Sequence, residues 1–327
     1  MPKKIPLTRN LALLLILLLI MGLAGCQQQQ NKKPIPKAAK KPVALSSEVT
    51  KYKSDPTFSI YRTATGNKEN IKLEEYLKGV VAAEVGPKYP MEALKAQAIV
   101  ARTMTLALIE YENGTRGKHD TDMSDSHTEF QEYDETKITP NISKAVDQTR
   151  GQVLTSNGKF VYALFHSASG AKTASIEEGF PKLKNKAGYL KPVPTNGLKY
   201  APAKYRNWTV KIPRSEIAGI MGSKAGSLDD IRVSNRGPSG RATAITAGKA
   251  TISAVDLRAK IGPDRLYSTV LSNVKAEGNN IVFTGSGWGH GVGMEQWGAN
   301  AMAKQGKNAK QIVMHYYPQA TWTTLYK

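Results

Sequence analysis

The apolar residues of this chain change their period once, and that change limits the fold more than any other feature. Within residues 71–85, Leu73, Leu77, Val80 and Val81 recur at three- and four-residue spacing, the period of one helix face. Gly86, Pro87 and Pro90 break the pattern. Pro90 suits the first residue of a second helix, where a missing N–H does no harm. That helix is expected over Met91–Glu112, Ala-rich and stopped by Asn113-Gly114. From Gly151 onward the period falls to two. Residues 153–165 read as a β-hairpin turning on Asn157-Gly158. Alternation returns over 208–212, 231–233 and 242–245, with short helices at 215–221 and 254–261 and a longer one near 294–304. Helices first and strands later, without a regular βαβ repeat, predict an α+β fold with mostly antiparallel strands.

The N-terminus predicts export. Lys3, Lys4 and Arg9 precede an uncharged apolar run over 11–23, followed by Leu23-Ala24-Gly25-Cys26. The run is about thirteen residues, short of the roughly 20 that a spanning helix needs, so it reads as a secretory signal. Leu-Ala-Gly-Cys resembles the lipobox of bacterial lipoproteins, which implies lipidation of Cys26 and cleavage before it. Cys26 is the only cysteine in the chain, so no intrachain disulfide is available. Two acyl chains would anchor it stably at the outer face of the cytoplasmic membrane.

Charge narrows the partners. The formal net charge is +20, from 46 Lys and Arg against 26 Asp and Glu. Removing Lys3, Lys4 and Arg9 with the signal leaves 43 basic residues and +17. Such a balance suits an acidic polymer, and export excludes nucleic acid in favour of the cell wall or the membrane surface. Residues 27–42 are polar, basic and Pro-containing, the composition of a disordered tether. The expected organisation is a signal over 1–25, a tether over 26–57 and a folded body over 58–327.

Four stretches could carry chemistry. Glu84 lies on the apolar side of its helix just before a Gly-Pro break. Burial there would raise its pKa, as a general acid acting on a glycosidic oxygen requires. The alternative is a helix-end Glu, solvated or paired with Lys88 or Arg102. His166-Ser167-Ala168-Ser169-Gly170 closes an apolar strand, as either a plain turn or a ligand-binding one; a His-Ser pair in sequence does not establish triad geometry. Residues 285–293 place five glycines around Trp288 and His290. They lack the Gly-Lys-Ser/Thr of a phosphate loop, but glycines admit close ligand approach and Trp288 offers a flat face to a sugar ring. His119, Asp120, Asp122, Asp125, His127 and Glu129 crowd one polar stretch without regular ligand spacing, which favours a solvated acidic loop over a metal centre.

Together these pieces resemble the SpoIID/LytB family, sporulation stage II protein D and the amidase-enhancer proteins, across residues 58–327. The resemblance is carried by residues 75–84 (EYLKGVVAAE), Ala93-Leu94-Lys95-Ala96-Gln97-Ala98, Ala101-Arg102-Thr103, residues 166–170, Tyr189-Leu190 and residues 287–299 (GWGHGVGMEQWGA). It implies a peptidoglycan lytic transglycosylase that cuts between N-acetylmuramic acid and N-acetylglucosamine without water and leaves 1,6-anhydro ends. Glu84 falls on the family's catalytic glutamate and would act as acid and then base. Lys95 and Arg102 fall on basic positions assigned to substrate contact or support of Glu84. Gln97, His166, Ser167, Ser169, Trp288, His290 and Gln296 are the other expected substrate contacts. Glu74 and Glu75, on the same helix as Glu84, are expected to be dispensable.

Glu84-Val85 stands where the family commonly has Glu-Met. Gln131-Glu132-Tyr133 is present without the cysteines that bind zinc in some clostridial members, so neither a metal nor another cofactor is expected. The expected partners are glycan strands, a cell-wall amidase and sporulation membrane proteins. The lipobox leaves open a vegetative or spore-envelope role beside one at the engulfing membrane. A non-catalytic enhancer of a wall amidase is the alternative function.

Overall fold

A computed structural model of the chain describes residues 43–327. The signal, Cys26 and the tether as far as residue 42 lie outside the described residues. Folding begins earlier than Phe58. A short helix, Ser47–Thr50, buries Val49 completely, and Tyr52 packs against Phe58 and Phe160 with ring centroids 6.3 and 6.0 Å apart. The Ser46 N–H donates to the Gly158 carbonyl. Two apolar side chains three residues apart are enough to tie this segment down, and they follow directly on the basic composition that marks the tether.

The first of the two expected helices, α1, spans Leu73–Glu84, with Glu74 and Glu75 in the first turn where the helix dipole favours negative charge. It ends where Gly86 takes φ +68° ahead of Pro87. The second, α2, spans Met91–Glu112 and is closed by Asn113 in the left-handed conformation at φ 62°. Both match the sequence expectation. Helix α2 is the axis of the fold because it is apolar on two sides. Leu94, Ala98, Ala101 and Leu106 face a core shared with α1, whereas Ala93, Ala96, Ile99 and Val100 face a second core shared with Val292, Met294 and Tyr316.

The hairpin forms at Asn157-Gly158, both with positive φ, and pairs Gln152–Ser156 with Lys159–Phe160. Its second strand is much shorter than expected. After Phe160 the chain turns away, because the Leu164 carbonyl is taken by the Met294 N–H and the Tyr317 hydroxyl. Phe165–His166 then pairs in parallel with Met294–Glu295. The expected helix at 294–304 therefore starts two residues later, as α3 over Gln296–Lys304.

Residues 208–286 build a third core around Trp208, Ile245, Leu257 and Phe283. There Asn280–Ser286 lies between Val270–Glu277 and Trp208–Pro213, and Ala242–Ala247 lies between Arg232–Arg236 and Ala250–Ser253, all antiparallel. The architecture is α+β, with mainly antiparallel strands. Ala44–Lys327 forms one compact unit.

Candidate active site

Glu84 is the last residue of α1 and keeps partial exposure, rather than sitting on the buried stripe of the helix. Neither Lys88 nor Arg102 pairs with it. Its partner is Gln296, whose Nε2 donates to Oε2 at 3.1 Å from a position 212 residues away. Enclosure of the carboxyl raises its pKa from 4.5 to about 7. The Gln296 hydrogen bond opposes that shift, the Glu132 carboxylate adds to it, and His127 opposes it. Because Gln296 donates to Oε2, the proton of the neutral acid belongs on Oε1.

The strand pair that ends at Glu295 explains how Gln296 reaches Glu84. Successive side chains of an extended backbone point to opposite sides. Glu295, fully buried, turns inward and accepts from the Ser169 N–H at 2.7 Å, the Gly197 N–H at 3.2 Å and the Thr195 hydroxyl. Its pKa is also raised to about 7, by burial. Gln296 opens α3 on the other side. Glu295 escaped the sequence reading because an acidic residue inside a family block carries no signal of burial.

The other expected site residues divide. His166 and Ser169 are buried; Nε2 of the histidine lies 2.6 Å from Oγ of the serine, and Nδ1 lies 3.2 Å from the Val292 carbonyl. Only a donor can face that carbonyl, so Nδ1 carries the hydrogen and Nε2 accepts from Ser169. Burial holds His166 well below the usual histidine range. The pair thus has a nucleophile–base geometry, but it is enclosed, and a backbone carbonyl stands where an orienting acid would be. Arg241, 1% exposed, places Nη2 3.4 Å from Ser169 Oγ. It is accommodated by Gly291 at φ +88°, where a Cβ would meet the guanidinium at 2.3 Å. His290 accepts from the Val292 N–H at 3.2 Å and packs on Phe180, its pKa lowered by burial to about 3. Ser167 and Trp288 stay partly exposed.

Two expected contacts, Arg102 and Gln97, are buried, and two others, Lys95 and Trp288, have partners of their own. Arg102 is fully buried, with Nε 2.9 Å from Oε1 of Glu74 and Nη2 2.5 Å from its Oε2, so it cannot touch a substrate. Glu74 is equally buried, and it also accepts from the Tyr326 hydroxyl at 2.9 Å and the Gly151 N–H at 3.2 Å. It is a structural anchor rather than a dispensable residue. Gln97 is fully buried within α2 and reaches no surface. Lys95 pairs with Glu92 at 2.8 Å, one turn away, rather than with Glu84. Trp288 does not present a bare face, since Tyr267 stacks on its ring at 4.3 Å and 16°.

The acidic stretch is not simply solvated. Asp122 accepts from the Ser59 N–H and hydroxyl at 2.8 Å each, and His119 stacks on Tyr61 at 3.8 Å. Tyr133 lies on the α1 backbone at Gly79, where a Cβ would fall 2.3 Å from its ring. That packing carries the hydrogen-bonded His127 and Glu132, 2.7 Å apart, towards the end of α1. Among the described residues, no three His, Cys, Asp or Glu side chains are placed to hold a metal ion together.

Residues 61–156, which carry α1 and α2, match a family model described as Stage II sporulation protein, and residues 190–293 match a domain of unknown function (DUF8618). The chain is 34% identical over 309 residues to Stage II sporulation protein D of Bacillus subtilis (strain 168), covering 90% of this chain and 85% of that one. It is 34% identical over 285 residues to Stage II sporulation protein D of Bacillus amyloliquefaciens, covering 83% and 80%. Amidase enhancer of Bacillus subtilis (strain 168) is 28% identical over 76% of this chain, which spans 40% of that protein. A likeness running across most of both sporulation proteins makes this chain a member of the SpoIID family.

Proposed function

We propose that the chain is a peptidoglycan lytic transglycosylase of the sporulating cell wall. The observation that carries this reading is Glu84: a partly exposed carboxyl with a pKa of about 7, held by an amide 212 residues away in the chain. Protonated Glu84 gives its proton to the glycosidic oxygen as the C1–O bond of N-acetylmuramic acid breaks. The sugar's own C6 oxygen closes onto C1, and the Glu84 carboxylate takes the C6 hydroxyl proton. One carboxylate suffices because no water is activated, so the paired carboxylates of ordinary glycosidases are not demanded. The second reading is a non-catalytic enhancer of a wall amidase, favoured by the 28% identity to the amidase enhancer. Mass spectrometry of peptide-free glycan strands incubated with the chain decides between them. The enzyme leaves 1,6-anhydro ends, whereas intact strands with stimulated amidase would transfer the assignment to the enhancer.

The same carboxyl sets the pH dependence. The acid must be protonated before the cut, so kcat/KM is expected to be flat below pH 7 and to fall about tenfold per unit above it. Stability follows the same group. Its folded pKa lies above the unfolded 4.5, so its contribution is complete below about pH 4.5 and is lost as pH rises through 7. Melting curves should therefore converge for wild type and Glu84→Gln near pH 4.5, and favour the variant at pH 8. A rate still rising at pH 9 would remove Glu84 as the acid.

The charge points to the wall as the partner. Binding to whole sacculi is expected to weaken steeply between low and high salt, because exposed charges are screened beyond about 8 Å at physiological ionic strength. Binding insensitive to salt would leave sugar stacking as the main attraction. We read Cys26 as the lipid anchor that keeps the chain on the outer membrane face; among the described residues, no helix is long and apolar enough to cross a membrane.

A further inference from the structure

We propose that Tyr205, Tyr267 and Lys204 form a glycan-holding platform around Trp288, so that residues 190–293 supply sugar subsites beyond the bond being cut. This rests on the reading of Glu84 as the cutting group.

Two aromatic sets are linked to each other, one beside Gln296 and one around Trp288. Trp297, adjacent to the Gln296 that holds Glu84, lies 5.5 Å from Tyr89. Trp288 has Tyr205 at 4.7 Å and 42° and Tyr267 stacked at 4.3 Å. Backbone hydrogen bonds join the sets: the Trp297 N–H donates to Ser167 O at 3.2 Å, and Ala168 and Trp288 exchange N–H and carbonyl at 3.0 and 2.8 Å. The platform's two tyrosines are tied in the same way, with Gly287 donating to Tyr205 O at 2.7 Å and Gly289 to Tyr267 O at 2.9 Å. Gly287 is needed for this approach, since at φ +78° a Cβ would meet the Ala168 carbonyl at 2.8 Å.

A buried aromatic cluster would be ordinary core, but this one is not. All five rings are partly exposed, and Tyr205, Trp288 and Trp297 belong to none of the three apolar cores. The Lys204 ammonium lies 5.2 Å from the Tyr205 ring centre and 5.6 Å from that of Trp288. Partly exposed rings carrying hydroxyls suit the apolar face of a pyranose together with its polar edge. An ammonium over those rings suits a sugar that bears a carboxylate, as muramic acid does through its lactyl group when no peptide is attached. The flat face expected of Trp288 is thereby replaced by a compound surface on which Trp288 is the support.

The test measures binding without turnover. The chain carrying Glu84→Gln is titrated calorimetrically with a tetrasaccharide and an octasaccharide of alternating N-acetylglucosamine and peptide-free N-acetylmuramic acid. Adding Tyr205→Ala should weaken the octasaccharide by about three- to tenfold and leave the tetrasaccharide unchanged, and Tyr205→Phe should restore it. Adding Lys204→Ala, an exposed change that the fold tolerates, should weaken the octasaccharide but not a neutral N-acetylglucosamine oligomer of equal length. Octasaccharide affinity unaltered by both Tyr205→Ala and Lys204→Ala would overturn the platform. Failure of the cutting role would show separately, as wild-type chain that leaves no anhydro ends.

Discussion

Glu84→Gln is expected to fold, bind glycan strands and release almost no anhydro-ended fragments. The amide keeps the shape of the carboxyl and a partner for Gln296, but it has no proton to give and no basic oxygen to take one back. Positioned acid–base catalysis contributes about 10² to 10⁴ in rate, and both halves of the reaction lose it here. The fold should not suffer, because the raised pKa marks a carboxyl that is costly to ionise where it stands. Glu75→Gln is the fitting control, since Glu75 is exposed and pairs only with Lys78 one turn on, at 2.6 Å. Product formation is followed by mass spectrometry and folding by melting temperature. Wild-type turnover by a well-folded Glu84→Gln chain would make Glu84 structural.

Arg102→Ala should cost stability on a scale that no surface change matches. The guanidinium and the Glu74 carboxylate are both out of water, 0% and 1% exposed, and hold each other through two hydrogen bonds. Arg102 also reaches the Gln152 carbonyl at 3.2 Å, and Glu74 takes the Tyr326 hydroxyl from the C-terminal end. Removing one partner strands the other charge, which costs about 3–5 kcal/mol. In a domain of this size that lowers the melting temperature by on the order of 10 °C. Replacing both partners by apolar residues of similar volume should recover much of the loss, because no charge is then left unpaired. Thermal unfolding of the two variants measures this. An Arg102→Ala chain melting within about a degree of wild type would show that Glu74 finds another partner or keeps its water.

The fate of Arg102 shows where reading the sequence stops. Its place in a family block marked it as important, but importance for the fold and importance for substrate leave the same trace in one sequence. The three-and-four spacing that brought out Glu84 treats Glu74 as another charge in a first helical turn. Burial of Glu74 depends on Tyr326 and Gly151 arriving beside it, and neither is near in the chain. The short second strand of the hairpin has the same origin. Residues 160–165 carry the right residue types for a strand, and the Leu164 carbonyl is claimed instead by Met294 and Tyr317.

What the sequence determined by itself is therefore local: α1 and α2 with their Gly-Pro and Asn-Gly ends, the turn at Asn157-Gly158, the α+β class and, through the family block at 75–84, Glu84 as the residue to test. The helices and the turn depend on backbone preference and side-chain period within a few residues, which neighbours in the chain decide. Tertiary structure alone decided that Gln296 would hold Glu84, that Glu295 would be buried beside Ser169 and that Tyr205 and Tyr267 would gather around Trp288. These contacts join residues from 21 to 212 positions apart (Trp288 and Tyr267 being the nearest such pair). No local preference specifies which of many distant polar or aromatic groups will meet. That choice is made when packing around α2 brings α1 and α3 together, and only there does Glu84 meet the amide that holds it.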